Sequence, residues 1–479
     1  MKYNNAIDKV NNKAANLLLP ILMAAVDYAA LVCAEGAAYE LRNAVMGNQL
    51  LHISWLSFWI INPAIFFIFL NIAQLYSRRM QFWKIIEKIF HTACYSILSL
   101  VLLLYVAQTA ASISRLFVVL FWLFSFILLV CGRYLVKRII EIIPLLQIPI
   151  LIIGAGKTAE LFVQGISSDA GMGYKIIGLL EDNKVSIKSL KKYPVLGKFS
   201  DAEKIIAQTG VQNVVIAAPG MEQAKLTELI NRIQSQVKNL TIIPNLIDIP
   251  MSGIEAEGFF NEKIMLLRLK NNLASPLNRF MKYSFDFIAT LIGVILISPI
   301  LLAITILIKL DSPGDATFKH TRIGKDGKPF GCWKFRTMCV DADKRLAELL
   351  ATSAEARKEW EESFKLKNDP RVTKVGKFLR KTSLDELPQV FNVLKGEMSL
   401  VGPRPVIVDE LPRYGEYLDD YLMVRPGITG MWQVNGRSDT TYDERVRMDS
   451  WYVRNWSFWI DIMLLWRTVK AVVCRKGAY

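Results

Sequence analysis

Four apolar stretches of membrane-spanning length fill most of the first 136 residues, at about Leu17 to Ala38, Trp55 to Leu75, Ile89 to Ala107 and Leu116 to Val136. A backbone in hydrocarbon must satisfy its own hydrogen bonds, so each run is confined to a helix. The first run leads straight into the others and reads as a span rather than a cleavable signal. Basic residues set the topology. Lys2, Lys9 and Lys13 precede the first span; Arg78, Arg79, Lys84 and Lys88 lie between the second and third; Arg133, Lys137 and Arg138 follow the fourth. The two remaining loops hold only Arg42 and Arg115, which puts the N-terminus and everything after the fourth span in the cytoplasm. Asp27 and Glu35 fall in or near the first span and need either a function or a partner on a neighbouring helix. Asn62-Pro63 should kink the second span.

From Ile148 to about Pro250 the texture changes to that of an α/β domain. Pro149 to Ile153 and Tyr174 to Leu180 read as buried strands, with further strands at Val214 to Ala218 and Leu240 to Ile243. Their alternation with helical segments predicts a doubly wound parallel sheet. Gly154-Ala-Gly156-Lys-Thr-Ala159 follows the first strand, and the acidic pair Glu181 and Asp182 ends the second. This turn is similar to a dinucleotide fingerprint. Gly154 and Gly156 are therefore a candidate nucleotide turn, and Lys157 and Thr158 would favour an anion there. A Rossmann-like domain kept for regulation or assembly, without a ligand, fits the same residues.

A fifth apolar segment, Phe285 to Leu310, differs from the first four. Arg279 and Lys282 precede it, Lys309, Lys319 and Arg322 follow it, and Ser298-Pro299 interrupts its middle. A crossing would place the basic C-terminal region outside the cytoplasm, against the charge pattern. The economical alternative is a helix over about 281–310 that enters, breaks at Ser298 and Pro299 and returns to the same face. Ser298 would bond a carbonyl that the proline leaves free. An ordinary kinked span is the other reading. Near the C-terminus, Trp456 to Lys476 mixes Trp, Ile and Leu with basic residues, which suits either an interfacial amphipathic helix or a core helix.

Composition narrows the chemistry. The chain has 479 residues, room for about three domains, and is 52% hydrophobic. Three isolated histidines, His52, His91 and His320, argue against a histidine zinc site or a Ser-His-Asp triad. Six cysteines without C-x-x-C spacing read as reduced thiols. The net charge of +15 suits anionic lipid, phosphorylated substrates or nucleic acid, but its spread around the apolar segments disfavours nucleic acid.

Against that background stands Arg380-Lys381-Thr-Ser-Leu-Asp385-Glu386-Leu-Pro-Gln389, followed by Val401-Gly-Pro-Arg404-Pro405. Adjacent carboxylates with cations before and after them can hold a divalent metal and a phosphate together. Ser383-x-x-Glu386 also fits a capping box, and the two readings combine if a helix begins there and turns its positive end toward a phosphate.

Four features occur in one order. They are the Ser-Pro-broken apolar segment, Lys334-Phe-Arg336, Ser383-Leu-Asp-Glu-Leu-Pro-Gln389, and Val401-Gly-Pro-Arg-Pro405 before Arg425-Pro-Gly-Ile-Thr-Gly-Met-Trp-Gln-Val-Asn-Gly-Arg437. Over roughly Ser275 to Tyr479 the chain resembles the bacterial sugar transferases, monotopic polyprenyl-phosphate phosphoglycosyl transferases. The preceding spans and Rossmann-like domain resemble the long form. Trp360-Glu361, the Phe364 to Arg371 region and the terminal Gly-Ala-Tyr479 resemble the subgroup that uses UDP-galactose.

The resemblance implies transfer of a hexose 1-phosphate from a UDP-sugar to undecaprenyl phosphate, with release of UMP, at the start of O-antigen, capsule or exopolysaccharide synthesis. It implies Asp385 as nucleophile, forming a phosphosugar-enzyme intermediate, and Glu386 as a Mg²⁺ ligand, with Asp449 as a further acidic position at the metal. Arg380 and Arg404 would contact phosphate; Arg425, Thr429, Gln433 and Arg437 would shape the nucleotide or sugar pocket. For Lys334, Arg371 and Asn435 a structural role fits at least as well. The expected architecture is a bacterial inner-membrane protein. It has a four-helix transmembrane bundle (1–145), a cytoplasmic Rossmann-like domain (146–265) and a mainly α catalytic domain (275–479) held by the re-entrant helix. The expected partners are the UDP-sugar, undecaprenyl phosphate, membrane lipids and a second copy in a dimer. Glucose or an N-acetylated hexosamine competes with galactose as the sugar. Two other classes compete with the transferase: a nucleotide-sugar modifying enzyme centred on Gly154 to Ala159, which lacks a following Tyr-x-x-x-Lys pair, and a noncatalytic membrane scaffold.

Overall fold

In the computed structural model, which describes residues 12–47, 54–108, 114–169, 172–244, 255–259, 264–268, 272–352, 357, 369, 371–435 and 440–473, the apolar runs of the N-terminal third become helices. The chain divides into two units, Met1–Ile247 and Asp248–Tyr479. The first opens with α1 (Asn12–Met46), then a π-turn at Ser57–Ile61 leading into α2 (Asn62–Ile72), α3 (Phe82–Val106) and α4 (Arg115–Ile142). Helices α1, α3 and α4 are long and apolar enough to cross a membrane. The second expected span is not: Ser57–Ile72 is shorter and ends before Gln74, whose φ of 60° is left-handed. Pro63 sits in the first turn of α2, where its missing N–H costs no helical bond, and the irregularity it imposes is the π-turn before it. Phe66 of α2 meets Phe121 of α4 edge-on, 5.6 Å between ring centres.

The intramembrane carboxylates are both paired. Asp27 Oδ2 accepts from Arg133 Nη2 at 2.6 Å and from Tyr76 O–H at 2.8 Å, and Asn62 Nδ2 donates to Glu35 Oε1 at 2.7 Å. Arg133 therefore does not flank a span as a topogenic charge. It is buried within α4, which continues to Ile142 and leaves Lys137 and Arg138 to mark that end.

After α4 come β1 (Ile148–Ile153), α5 (Lys157–Ser168), β2 (Tyr174–Leu180), β3 (Val195–Gly197), α6 (Ala202–Thr209), β4 (Asn213–Ile216), α7 (Gln223–Ile233) and β5 (Asn239–Ile242). The strands are all parallel in the order β3-β2-β1-β4-β5, the doubly wound sheet that the alternation predicts. Strand β3 has no counterpart in the sequence pattern because three residues carry too little periodicity. Gly154 takes φ +105°, and a Cβ there would lie 2.7 Å from the Ala217 carbonyl oxygen, so this turn requires glycine.

The second unit contains the antiparallel pair β6 (Glu255–Phe259) and β7 (Ile264–Arg268), then α8 (Pro276–Asp311). At 36 residues, α8 is roughly 54 Å long at ~1.5 Å per residue, longer than a bilayer's apolar core. The expected break is not a gap between two helices: helical bonding continues through Ser298-Pro299. Pro299 deprives the Ile295 carbonyl of its helical donor, and Ser298 Oγ donates to that oxygen at 2.8 Å instead. The antiparallel ribbon β8 (Thr317–Ile323) and β9 (Pro329–Phe335) follows, then α9 (Ala342–Thr352), α10 (Lys374–Thr382), a 3-10 turn (Leu384–Gln389) and α11 (Val390–Leu394). Next are β10 (Ser399–Val401), a 3-10 stretch (Val408–Tyr417), α12 (Leu418–Met423), β11 (Gly427–Thr429), α13 (Met431–Asn435), α14 (Tyr442–Arg454) and α15 (Phe458–Val473). Helix α15 has one buried and one exposed apolar face. Asp461 and Leu464 are buried in the unit's core, while Trp466 and Val469 stand exposed on its outer face.

Arg133→Leu leaves Asp27 buried without its counter-charge, so we expect a loss of roughly 3–5 kcal/mol of stability. Asp27→Leu in the same chain should recover most of it. Detergent-to-SDS unfolding titrations of the single and double variants measure this, and a double variant no better than the single refutes the pairing account.

Candidate active site

Strand β9 delivers the first part of the site. Successive residues of a strand face opposite sides, and Lys334-Phe335-Arg336 uses the alternation. Lys334 Nζ donates to Glu386 Oε1 at 2.6 Å. Phe335 is buried among Leu301, Ile304 and Ile308 of α8 and Leu379 of α10. Arg336 donates to the carbonyl oxygens of Ser312 and Pro313, which fixes the chain leaving α8. Lys334 is thus the residue whose importance the sequence understates, since nothing in Lys-Phe-Arg says which carboxylate it meets.

The acidic pair lies on the 3-10 turn rather than at the start of an α-helix. Ser383 has φ 55°, ends α10 and links it to the turn, and its side chain caps neither. The expected capping box is therefore not formed here. A true capping box occurs at Thr441 and Glu444, where α14 starts. Helix α10 is seated by close approach: a Cβ on Gly376 would lie 2.0 Å from the Thr337 carbonyl oxygen. That seat lets Arg380 Nε donate to Thr337 Oγ1 at 2.9 Å. Burial, and then Glu386, raise the Asp385 carboxyl above its ordinary pKa, while Lys334 and Arg380 oppose the rise.

Arg404 stands on a turn built by interlocked glycines. Strands β10 and β11 run parallel, and a Cβ on Gly427 would lie 2.1 Å from Gly402 N, one on Gly430 2.4 Å from Gly402 O. Val-Gly-Pro-Arg-Pro and Arg-Pro-Gly-Ile-Thr-Gly are therefore two halves of one structure. The exposed Arg404 guanidinium lies 5.7 Å from the Trp432 ring centre, and Arg445 stacks on the same ring at 4.8 Å. Burial raises the Cys332 thiol above its ordinary pKa; Lys334, Arg322 and Arg404 oppose the rise and Glu386 adds to it.

Asp449 is buried beneath this turn. Its Oδ2 accepts from Tyr414 O–H at 3.1 Å, and burial pushes its carboxyl up to about 8. Its Oδ1 has no hydrogen-bond partner. Among the described residues no three acidic, histidine or cysteine groups gather as a metal cluster, so Asp449 does not join Asp385 and Glu386 in one. Arg425 lies 3.8 Å from the Tyr283 ring centre on α8, Thr429 shares a 2.7 Å hydrogen bond with Thr468 on α15, and Gln433 Nε2 donates to the Ile428 carbonyl. Arg371 pairs with Asp369, and Arg467 Nη1 donates to Asn435 Oδ1. Arg437, and residues 360–368, lie outside the described residues.

In the α/β domain, Gly154, Gly156, Lys157 and Glu181 line a cleft of about 910 Å³ at the ends of β1 and β2. Glu181 already accepts the Ala155 N–H at 2.6 Å, and Lys157 pairs with Glu160.

The bacterial sugar transferase profile matches residues 277–475, and a CoA-binding domain profile matches residues 71–244. The undecaprenyl-phosphate galactose phosphotransferase of Salmonella typhimurium is 40% identical over 408 residues, covering 84% of each chain. The UDP-galactose-lipid carrier transferase of Erwinia amylovora is 40% identical over 405 residues, again 84% of each. The UDP-glucose:undecaprenyl-phosphate glucose-1-phosphate transferase of Escherichia coli is 34% identical over 332 residues, 67% of this chain and 66% of that one. With its motifs gathered in the second unit and its likeness running through both units, the chain belongs to the bacterial sugar transferase family.

Proposed function

We propose that the chain transfers a hexose 1-phosphate, galactose 1-phosphate foremost, from a UDP-sugar to undecaprenyl phosphate and releases UMP. The observation that carries this is the Asp385–Glu386 pair on one short turn, with Lys334 on Glu386 and Arg380 acting on Asp385. The galactose assignment follows the two relatives named for galactose, which match at higher identity and over more of the chain than the glucose one.

In this mechanism an Asp385 carboxylate oxygen attacks the sugar-bearing phosphorus of the UDP-sugar. The bridging P–O bond breaks, UMP leaves with that oxygen, and the sugar phosphate stays on Asp385. An oxygen of the lipid phosphate then attacks the same phosphorus, breaks the Asp385–phosphorus bond and carries the sugar phosphate away as a diphosphate. Both steps bring anion to anion. Arg380 and Arg404 offset that repulsion, and Lys334 orients Glu386. Two adjacent carboxylates at a half-open turn suit Mg²⁺, which takes one or two protein carboxylates and completes its shell from phosphate and water. Glu386 would hold it, leaving Asp385 free to attack, and when bound it supplies charge neutralisation at the diphosphate.

We also infer that α8 is re-entrant, bending at its Ser298-Pro299 step while its helical hydrogen bonding continues. What supports this is that both of its halves pack on one catalytic unit: Lys282 reaches the Val401 carbonyl at 3.1 Å near one end, and Ile304 and Ile308 pack on Phe335 and Leu379 near the other. A crossing helix would have its ends on opposite sides of a bilayer about 30 Å thick.

UMP release from a panel of UDP-sugars with undecaprenyl phosphate should be fastest with UDP-galactose. Without the lipid, radiolabelled sugar phosphate should remain on the protein. Asp385→Asn should abolish that label, and its persistence would remove Asp385 as nucleophile. Lys334→Gln should lower kcat/KM roughly 10–100-fold, as losing the partner of a metal-binding carboxylate does; an unchanged value would make the contact incidental. A cysteine-accessibility scan should find residues before and after α8 reactive from the same, cytoplasmic side. Reactivity of the C-terminal side only from outside would overturn re-entry.

A further inference from the structure

The catalytic unit holds an apolar groove that the chemistry above does not use. Its volume is about 550 Å³, and it is lined by Ser298, Leu302, Trp333, Phe335, Pro388 and Phe391 among others, with Lys395 as its one cation. One wall is α8 around its Ser-Pro step. The opposite wall belongs to the elements that carry the acidic pair. Pro388 is three residues past Asp385 on the same 3-10 turn, and Trp333 and Phe335 flank Lys334, the partner of Glu386.

The rim is cationic. Lys395 Nζ lies 5.4 Å and Lys319 Nζ 4.5 Å from the Trp333 ring centre. Leu302, 62% exposed, belongs both to the groove and to the outer apolar surface of α8, where Ile295, Leu296 and Ile300 also stand exposed. The groove thus joins the lipid-facing side of a membrane helix to the turn bearing the carboxylates. An amphiphile with an anionic head and a long apolar tail matches that gradient in both polarity and charge, whereas a UDP-sugar has nothing to bury among these side chains.

We propose that this groove binds the first prenyl units of the acceptor lipid and so sets the depth at which its phosphate meets Asp385. The proposal rests on the transferase reading for the identity of the lipid. A volume of 550 Å³ is that of a site for a drug-sized group, so only the head-proximal part of an undecaprenyl chain enters and the remainder stays in the bilayer. Phe391 is 41% exposed and its removal leaves the core intact, which makes it the residue to truncate.

The test uses the full chain in liposomes. Phe391→Ala should raise KM for undecaprenyl phosphate about tenfold, the effect of losing one buried aromatic contact, without a matching rise in KM for UDP-galactose. An undecaprenyl phosphate analogue with a diazirine in its second prenyl unit should label peptides containing Leu302, Trp333 or Phe391. Excess undecaprenyl phosphate should suppress this labelling and phosphatidylglycerol should not. The proposal is overturned if the KM for undecaprenyl phosphate stays within twofold, if both KM values rise together, or if phosphatidylglycerol competes equally, which would make the occupant an ordinary acyl chain. Wild-type protein that transfers no sugar phosphate yet carries the competed label would refute the transferase reading while upholding the groove.

Discussion

The catalytic unit is organised around one buried lysine, Lys282, with Asp461 at 2.7 Å across the fold and Asp286 at 3.7 Å on its own helix. The lysine comes from α8 and Asp461 from α15, 179 residues later. Neither charge is left without hydrogen bonds: Tyr452 O–H and Trp456 Nε1 donate to Asp461, while Lys282 Nζ also donates to the Val401 carbonyl. A buried pair is weak evidence for stability as such, because desolvation offsets most of the attraction. Its consequence is specificity of arrangement. Moving α8 relative to α15 would strand a charge in an apolar interior, so the membrane helix can take only one seat on the domain.

From that seat the rest of the site is positioned. Val401 ends β10 and is immediately followed by Gly402, whose contacts with Gly427 and Gly430 admit no side chain. The lysine that fixes α8 thereby also fixes the strand leading to the Arg404 turn. At the other end of α8, Arg336 ties down the carbonyls of Ser312 and Pro313, and two residues earlier Lys334 holds Glu386. The apolar helix is therefore more than a tether, since both edges of the candidate site are registered against it.

What is legible in the sequence follows from the range of the interactions involved. Helices and the parallel sheet are written in local periodicity, and β2 spans the residues expected. The acidic pair is legible because the two carboxylates are neighbours in the chain. Lys282 is visible only as a basic residue before an apolar run, and its burial depends on Asp461, which no local pattern connects to it. Arg133 reads as a flanking charge for the same reason, its partner Asp27 lying 106 residues away. Ser383 misleads differently. The capping-box spacing is present, but α10 ends at that residue, and a left-handed link cannot also serve as an extended N-cap.

The division of labour between charge and apolar surface explains why these motifs belong on one polypeptide. In the proposed mechanism a diphosphate donor arrives from water and demands cations and open access, the role proposed for the exposed Arg404. A polyprenyl acceptor arrives from hydrocarbon and demands apolar walls beginning close to the same carboxylates. A single rigid turn meets both demands only if one side of its surroundings is polar and the other is continuous with a membrane helix. The Leu384–Gln389 turn has that character: Glu386 faces Lys334, whereas Leu384 and Leu387 pack into the cluster formed by Leu301, Ile304 and Phe335. Pro388 removes a backbone donor within the turn and limits its flexibility. The acidic pair thus sits at the boundary between two solvents because its own neighbours in sequence are divided between them.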